Sequence, residues 1–257
     1  MIRALAHRVV WRLGLQGALF RLREWRLAAF GARRADADGP PVPPPLLRVQ
    51  VCGTADLGYF LESGRETLAE FDTLLRASGP GLAEAGAVLD LGCGCGRLAR
   101  WFPGNPGRLT GMDIDARMVR WCAAQLPGTW SAVRLGEPLP AGPASFDLIY
   151  ACSVITHLRR PTAQGWLAEL ARVLKPGGRA LISFHDERHP SAAPVADDLA
   201  RHGYAVRFDR LEGSNHLAAY ATLEALTDLA APGLRRLDAR PSDATVCGQA
   251  IAVFGKT

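Results

Sequence analysis

The sequence has no run of about eighteen uncharged apolar residues, the length that a transmembrane helix requires, although 48% of its 257 residues are hydrophobic. No transmembrane helix is therefore predicted. Arginines interrupt the N-terminus too often to leave the apolar core of a secretory signal. We therefore expect the protein to stay inside the cell, in the cytoplasm.

Cysteines at metal-ligand spacing are also missing. The six cysteines are scattered, without a Cys-x-x-Cys pair or a histidine partner at zinc-binding spacing. Neither a zinc site nor a disulfide framework is predicted, and no metal is expected. Reduced and mostly buried thiols are the better interpretation.

An excess of basic over acidic residues is missing outside the N-terminus. The net charge is +5, but residues 1–34 hold eight arginines against the single acidic residue Glu24, so the rest of the chain has a small negative balance. A nucleic-acid groove needs basic residues distributed across the domain that forms it. We therefore expect no nucleic acid among the partners.

The basic N-terminal segment, residues 1–34, has apolar residues at helix-compatible spacing between its arginines. The proline-rich stretch 40–45 cannot continue a helix and is typical of an extended linker. We predict a helical segment with its linker over residues 1–45 and one larger domain over residues 46–257. A basic amphipathic helix can lie in the headgroup region of a membrane, so peripheral membrane contact is one hypothesis for residues 1–34. Packing on the larger domain and an oligomer interface are the alternatives.

Predicted strands and helices alternate through the middle of the chain. Strands are predicted over residues 87–91, 108–113, 130–135, 146–152 and 179–185. Helices are predicted over residues 57–78, 116–125 and 162–174, and a further helix is predicted directly after the first strand. This alternation specifies a parallel sheet with helices on both faces, because right-handed crossovers cover both sides. The predicted fold class is α/β, a Rossmann-like, doubly wound and mostly parallel sheet.

The C-terminal region departs from this alternation. An irregular stretch, residues 186–221, precedes a predicted helix over 222–230 and strands over 234–240 and 249–255. Two strands so close in sequence must pair antiparallel, since a parallel crossover needs roughly a dozen or more residues. The expected sheet therefore has seven strands and ends in an antiparallel strand.

A glycine-rich loop follows the first predicted strand. It reads Asp90-Leu91-Gly92-Cys93-Gly94-Cys95-Gly96, with glycines at alternate positions. Residues without a side chain let a ligand lie against the backbone at the carboxyl end of the sheet. Asp113 ends the second predicted strand about twenty residues after the loop, where an acidic side chain recognises a ribose. The pattern predicts a ligand with a ribose.

Together these motifs resemble class I S-adenosylmethionine-dependent methyltransferases. Besides the glycine loop, the resemblance rests on Gly111-Met112-Asp113-Ile114-Asp115, on Phe146-Asp147-Leu148-Ile149-Tyr150, and on the segment from Leu170 to Lys175-Pro176-Gly177-Gly178. The segment Ser153-Val154-Ile155-Thr156-His157-Leu158 is similar to that of a bacterial subgroup. The resemblance covers the chain from about residue 49 onward and implies methyl transfer from S-adenosylmethionine to a small-molecule or sugar hydroxyl or amine.

The resemblance also implies roles for individual residues. The residues it places at the cofactor are Asp90, Gly92, Cys93, Gly94, Gly96, Asp113, Ile114, Glu137 and Ser153. Among these, Asp90 would hold the methionine amino group, and Asp113 would accept hydrogen bonds from both ribose hydroxyls. Many relatives place an aspartate where it contacts the adenine amine. In this chain Glu137 is the expected substitute, and backbone and apolar contacts alone are the alternative.

Two histidines are the candidate catalytic residues. His157 follows the fourth predicted strand and His185 ends the fifth, at the sheet edge where the transferred methyl group is expected. A histidine there can take a proton from a hydroxyl or amine near neutral pH. A purely structural role is the alternative for both. The irregular stretch 186–221 and residues 53–65 are expected to cover the acceptor.

Two other functions remain as hypotheses. A nicotinamide-dependent oxidoreductase also has a glycine loop after its first strand, but its fingerprint needs a glycine where this chain has Arg97. A methyltransferase-like protein that binds the cofactor without turnover and docks on membranes is the non-enzymatic alternative.

Overall fold

The structure is a computed structural model that describes residues 16–30 and 41–257. The helices are α1 (Gln16–Phe30), α2 (Pro45–Cys52), α3 (Leu57–Arg76), α4 (Ala116–Gln125), α5 (Arg160–Val173), α6 (Ala196–His202) and α7 (Leu223–Ala230). The strands are β1 (Val88–Leu91), β2 (Leu109–Asp113), β3 (Thr129–Ala132), β4 (Phe146–Ala151), β5 (Leu174–Phe184), β6 (Tyr204–Arg207), β7 (Ala218–Ala221), β8 (Leu234–Arg240) and β9 (Ala250–Lys256).

Seven strands form the main sheet in the order β3-β2-β1-β4-β5-β9-β8. Strands β1 to β5 pair parallel to one another, whereas β9 pairs antiparallel with both β5 and β8. The predicted α/β fold with an antiparallel C-terminal strand is therefore confirmed.

The central strands are mostly apolar because both faces of the sheet are covered. In β1, Leu89 and Leu91 contribute to the hydrophobic cluster on one face, and Val88 contributes to the cluster on the other. The neighbouring strand β4 alternates in the same way, with Ile149 on the first face and Tyr150 on the second. This two-sided burial fixes the register of the strands, whose carboxyl ends form one edge.

Two of the sequence-based elements are wrong, and strand β5 begins at Leu174, earlier than predicted. Residues 92–101 form turns and the short 3-10 helix Ala99–Trp101 in place of the α-helix expected after β1. Gly92, Gly94 and Gly96 all have positive φ angles, which an α-helix cannot contain. The stretch 186–221, expected to be irregular, contains α6 and the antiparallel pair β6 and β7.

Two short helices precede the sheet. Helix α2 begins at Pro45, inside the predicted linker, and the side chain of Asp56 caps α3 by accepting a hydrogen bond from the Tyr59 amide. Helix α1 lies within the segment predicted to be helical, and the predictions for residues 1–15 and 31–40 lie outside the described residues. Among the described residues, no helix is long and apolar enough to cross a membrane.

Candidate functional site

The glycine loop forms a tight backbone cradle after β1. The Gly92 and Cys93 amides both donate hydrogen bonds to the Met112 carbonyl, at 2.7 and 3.1 Å, which fixes the loop against β2. Gly92 and Gly94 have φ angles of 73° and 52°. A β-carbon at Gly92 would collide with Val154, so the cradle accepts only glycine without rearrangement.

The Asp113 carboxylate joins the end of β2 to this loop. Its Oδ2 accepts a hydrogen bond from the Gly94 amide and its Oδ1 accepts one from the Asp115 amide, each at 2.8 Å. Burial raises the pKa of Asp113, although these amide donors favour its ionised form. Asp113 therefore holds the loop as well as presenting its carboxylate to the cavity beside it, a double role that the sequence did not indicate.

Asp90 is a buried acid without a full set of hydrogen-bond partners. It is only 2% exposed, and its Oδ2 makes no hydrogen bond to any described residue. Burial raises its pKa to about 7, while the neighbouring Tyr150 and the more distant Arg97 favour the ionised form. A cationic or hydrogen-bond-donating ligand at this position would satisfy the carboxylate.

A cavity of about 580 Å³ opens beside the loop at the carboxyl edge of the sheet. Its size falls in the usual range for small-molecule sites, roughly 300–1,000 Å³. Of the predicted cofactor residues, those lining it are Asp90, Gly92, Cys93, Gly94, Asp113, Ile114 and Ser153. Gly96 and Glu137 are not in its lining, and Glu137 is an exposed side chain 3.4 Å from Arg134.

The two candidate histidines have different surroundings. His157 lines the cavity, and its Nδ1 lies 2.8 Å from the Leu217 carbonyl oxygen. Because a carbonyl only accepts, Nδ1 carries the proton and Nε2 keeps its lone pair. Burial lowers the pKa of His157, so the ring is neutral near pH 7. His185 lines neither this cavity nor the next and instead packs against His189 and Tyr220.

A second cavity of about 300 Å³ adjoins the first. The residues that line both cavities are Val51, Arg97, Cys152 and Ser153. The second cavity extends between α3 and the segment before β9, where Gln249 lies in its wall. The two cavities therefore meet at the end of β4.

Ser153 holds a strained backbone conformation at this meeting point. Its φ angle is 61°, in the left-handed region that non-glycine residues rarely adopt. The Ser153 amide donates to the Ser183 hydroxyl at 2.8 Å, and the Gln249 side-chain amide donates to the Ser153 hydroxyl at 2.7 Å. Strain of this kind persists where surrounding contacts over-determine it, and it is frequent at functional sites.

Helix α1 forms part of the cavity wall through Gly17, Arg21 and Glu24. The ring of Phe20 stacks on His216 with centroids 4.0 Å apart, which attaches the helix to the 209–217 loop. Sequence reasoning did not place α1 at the site, because its composition gave no sign of which surface it covers. The described part of the segment 1–34 thus packs on the larger domain, one of the alternatives left open.

Comparisons with known proteins agree with this arrangement. A family model described as a methyltransferase domain matches residues 88–178. Trans-aconitate 2-methyltransferase from an Azoarcus species is 33% identical over 192 residues, covering 71% of this chain and 69% of that protein. O-methyltransferase cnsE from Penicillium expansum is 32% identical over 162 residues, covering 58% of this chain and 57% of that protein. The chain thus spans little more than half the length of the fungal protein.

Solved structures share the fold at low sequence identity. The 1,6-didemethyltoxoflavin-N1-methyltransferase of Burkholderia thailandensis matches with a TM-score of 0.55 at 18% identity, covering 88% of this chain and 98% of that one. The PH0226 protein of Pyrococcus horikoshii matches with a TM-score of 0.56 at 18% identity, covering 76% and 91% of the two chains. The family model matches the region that contains the glycine loop, and the chain belongs to the class I S-adenosylmethionine-dependent methyltransferase family.

Proposed function

We propose that this protein is an enzyme that transfers a methyl group from S-adenosylmethionine to an oxygen atom of a small molecule. The observation that carries the proposal is a pair of acids, the buried Asp90 and the half-buried Asp113, on either side of a glycine cradle that opens into a cavity of about 580 Å³. Among the relatives, cnsE and a ubiquinone biosynthesis enzyme of Xanthomonas oryzae are O-methyltransferases.

The residues present suit the family's cofactor. Asp90, with an unsatisfied buried oxygen, would accept from the methionine amino group, and Asp113 would accept from the ribose hydroxyls. Gly92 and Gly94 line the cavity without a side chain, so a ligand can lie against their backbone. We assign the adenine contact to the apolar side chains of Ile114 and Leu135, which line the cavity and are 40% and 36% exposed.

S-adenosylmethionine supplies a methyl group on a positively charged sulfur, which is already strongly electrophilic. The protein's own task is therefore to align the acceptor with the methyl carbon and to exclude water. For a neutral hydroxyl acceptor, the neutral imidazole of His157 is the base we propose, since its Nε2 lone pair is available. His185 and Glu137, outside both cavity linings, have no role in this proposal.

The direct test is incubation of the protein with methyl-labelled S-adenosylmethionine and a small-molecule metabolite extract, followed by mass spectrometry. We expect labelled products that depend on the protein and on Asp113. Binding of S-adenosylhomocysteine without transfer to any extract component would instead favour a non-catalytic binding protein. Tighter binding of nicotinamide dinucleotides would favour an oxidoreductase, which neither the family match nor the relatives support.

Peripheral membrane contact through the N-terminal segment is a separate proposal. Helix α1 leaves Leu19, Leu22 and Trp25 between 50% and 63% exposed, beside the exposed Arg23 and Arg26. Such a surface can insert its apolar side chains at an anionic interface while its arginines meet phosphates.

A further inference from the structure

Arg97 is a cation without an acidic partner in the part of the chain that the structure describes. It lies in the wall shared by the two cavities. Its guanidinium donates a long hydrogen bond, at 3.4 Å, to the Ser63 hydroxyl and another, also at 3.4 Å, to the Cys152 sulfur, and neither acceptor is a carboxylate. An enclosed guanidinium normally pairs with a carboxylate or phosphate, because losing its hydration is costly.

Asp90 is not paired with the Arg97 guanidinium. The charge of Arg97 acts on the Asp90 carboxylate, but neither a hydrogen bond nor an ion pair joins the two side chains. The acids that line the second cavity, Glu62 and Glu66, are exposed on α3 at its solvent side. The nearby Glu70 instead accepts hydrogen bonds from the Val246 amide. Solvent screens the Glu62 and Glu66 carboxylates, whereas Arg97 lies deeper. The positive charge in the wall of the second cavity therefore lies at its inner end.

The hydroxyl of Ser153 adds a directed donor beside this cation. Gln249 donates to the Ser153 oxygen at 2.7 Å, and the Gln249 side-chain carbonyl accepts from Ser183 at 2.7 Å. The Ser153 oxygen thus already accepts one hydrogen bond. Among the described residues, the only acceptor recorded near its hydrogen is the Cys152 sulfur, 3.9 Å from the hydroxyl oxygen, so the hydrogen remains available to a ligand oxygen.

We propose that the acceptor's reacting group is a carboxylate, bound where the two cavities meet by the Arg97 guanidinium and the Ser153 hydroxyl. This inference rests on the proposed function and narrows its acceptor to small organic acids. A hydroxyl or amine acceptor would leave the Arg97 charge unpaired and would need a base. A carboxylate pairs the charge and is already ionised at neutral pH.

Methyl transfer to a carboxylate releases no proton. A carboxylate oxygen forms a bond to the methyl carbon as the carbon–sulfur bond breaks, and the electron pair of that bond goes to sulfur. The anionic acid and the sulfonium become a neutral methyl ester and a neutral thioether, and no proton is released. No general base is required, so Arg97 and Ser153 act by binding and aligning the acid.

One other carboxylate could pair with Arg97, namely the one on the methionine part of the cofactor. The two sources can be told apart by binding measurements alone. If Arg97 holds the acceptor, the Arg97→Met variant binds S-adenosylhomocysteine about as tightly as the wild-type protein does. If it holds the cofactor, that affinity falls roughly ten- to a hundredfold, the usual value for a hydrogen bond to a charged group, and the acceptor assignment is overturned.

The decisive experiment examines the chemical bond that the product contains. The full chain is incubated with methyl-labelled S-adenosylmethionine and a metabolite extract, and the labelled products are treated with mild alkali. Carboxyl methyl esters release the label as volatile methanol, whereas methyl ethers and methylamines keep it. We expect most of the protein-dependent label to become volatile. Label that stays in base-stable products overturns the carboxylate assignment but leaves the proposed methyltransferase intact.

Variants then link the ester to the two residues. We expect Arg97→Met and Ser153→Ala to lower ester formation roughly ten- to a hundredfold at limiting acceptor, with Arg97→Lys less affected. Arg65→Met is the matched control, because Arg65 is exposed on α3 and lines neither cavity. Ester formation that is equal in all four variants would overturn the assignment of Arg97 and Ser153. If no small molecule is labelled although S-adenosylhomocysteine binds, the proposed function itself fails.

Discussion

The Glu24 carboxylate of α1 lies 3.2 Å from His216 Nε2 in the loop that covers the cavity. Its other oxygen accepts a hydrogen bond from Gln50 of α2, also at 3.2 Å. Glu24 thus connects the N-terminal helix to both α2 and the loop, in addition to the Phe20–His216 stacking. Because α1 also lines the cavity, its attachment matters for ligand binding.

We expect Glu24→Ala to loosen α1 and the 209–217 loop together. Hydrogen exchange measured by mass spectrometry should be faster in both segments, because each loses a shared polar contact. Arg26→Ala is the control, since Arg26 is exposed on the same helix. Unchanged exchange in Glu24→Ala would show that the Phe20–His216 stacking alone attaches the helix.

The membrane hypothesis for α1 leads to a second prediction. The double variant Leu22→Glu and Trp25→Glu should sediment less with anionic vesicles than the wild-type chain, because it loses two exposed apolar side chains of the helix. Each basic residue near an anionic surface contributes on the order of 1 kcal/mol, so high salt should weaken the binding of both proteins. Val246→Glu changes an equally exposed apolar residue elsewhere and serves as the control. Equal sedimentation of all three proteins would exclude a membrane role for α1.

If the acceptor is a carboxylate, His157 has a structural role and does not act as a general base. We expect His157→Ala to lower both thermal stability and turnover, because it removes the hydrogen bond from Nδ1 to the Leu217 carbonyl. His157→Asn keeps a donor for that carbonyl but cannot act as a base, and it should restore most of the turnover. An asparagine variant that is as stable as wild type yet as inactive as the alanine variant would return His157 to general-base catalysis and argue against an acid acceptor.

His185 should affect stability at low pH. Burial lowers its pKa to about 3, with neighbouring His189 and His157 adding to the effect, whereas an unfolded histidine titrates near 6.5. Between these two pH values the unfolded chain binds a proton at His185 that the folded protein does not bind. The stability that the neutral His185 contributes is therefore complete above pH 6.5. As the pH falls below 6.5, the free energy of unfolding decreases by about 1.4 kcal/mol per pH unit.

Urea unfolding at pH 7.5 and 5.5 measures this loss. The wild-type protein should lose more stability between the two pH values than His185→Gln does. The comparison between proteins is needed because Asp90, with a pKa raised to about 7, acts in the opposite direction over the same window. Identical losses in the two proteins would show that His185 has the same pKa in the folded and unfolded states, contrary to its burial.

The sequence predicted the parts of the structure that follow from periodicity and from motifs. Helix Ala116–Gln125 and strand Leu234–Arg240 have the predicted bounds, since their apolar spacing and flanking residues are regular. The glycine loop and Asp113 were identified because strand, loop and acid lie close together in the chain. Local order of this kind is visible without a structure.

Contacts between distant segments could not be predicted in the same way. Ser153, Ser183 and Gln249 come together only because β4, β5 and β9 are neighbours in the sheet. Arg97 was considered only as a departure from the nicotinamide fingerprint, and its lack of an acidic partner depends on side chains from α3 and β4. The closure of the cavity by α1 depends on a loop some 190 residues away, as the Glu24–His216 contact shows.

The function proposed for this protein requires cofactor binding at the glycine loop. Isothermal titration calorimetry with S-adenosylhomocysteine measures that binding directly. We predict that the wild-type protein binds, that Asp243→Ala binds equally, and that Asp113→Asn binds roughly ten- to a hundredfold more weakly, because it loses a charged acceptor for the ribose hydroxyls. Asparagine keeps one acceptor for the loop amides, so a matched thermal melt separates loss of binding from loss of fold. A wild-type protein that is folded and does not bind S-adenosylhomocysteine, or an Asp113→Asn variant that binds it as tightly as wild type, would contradict the assignment of this site.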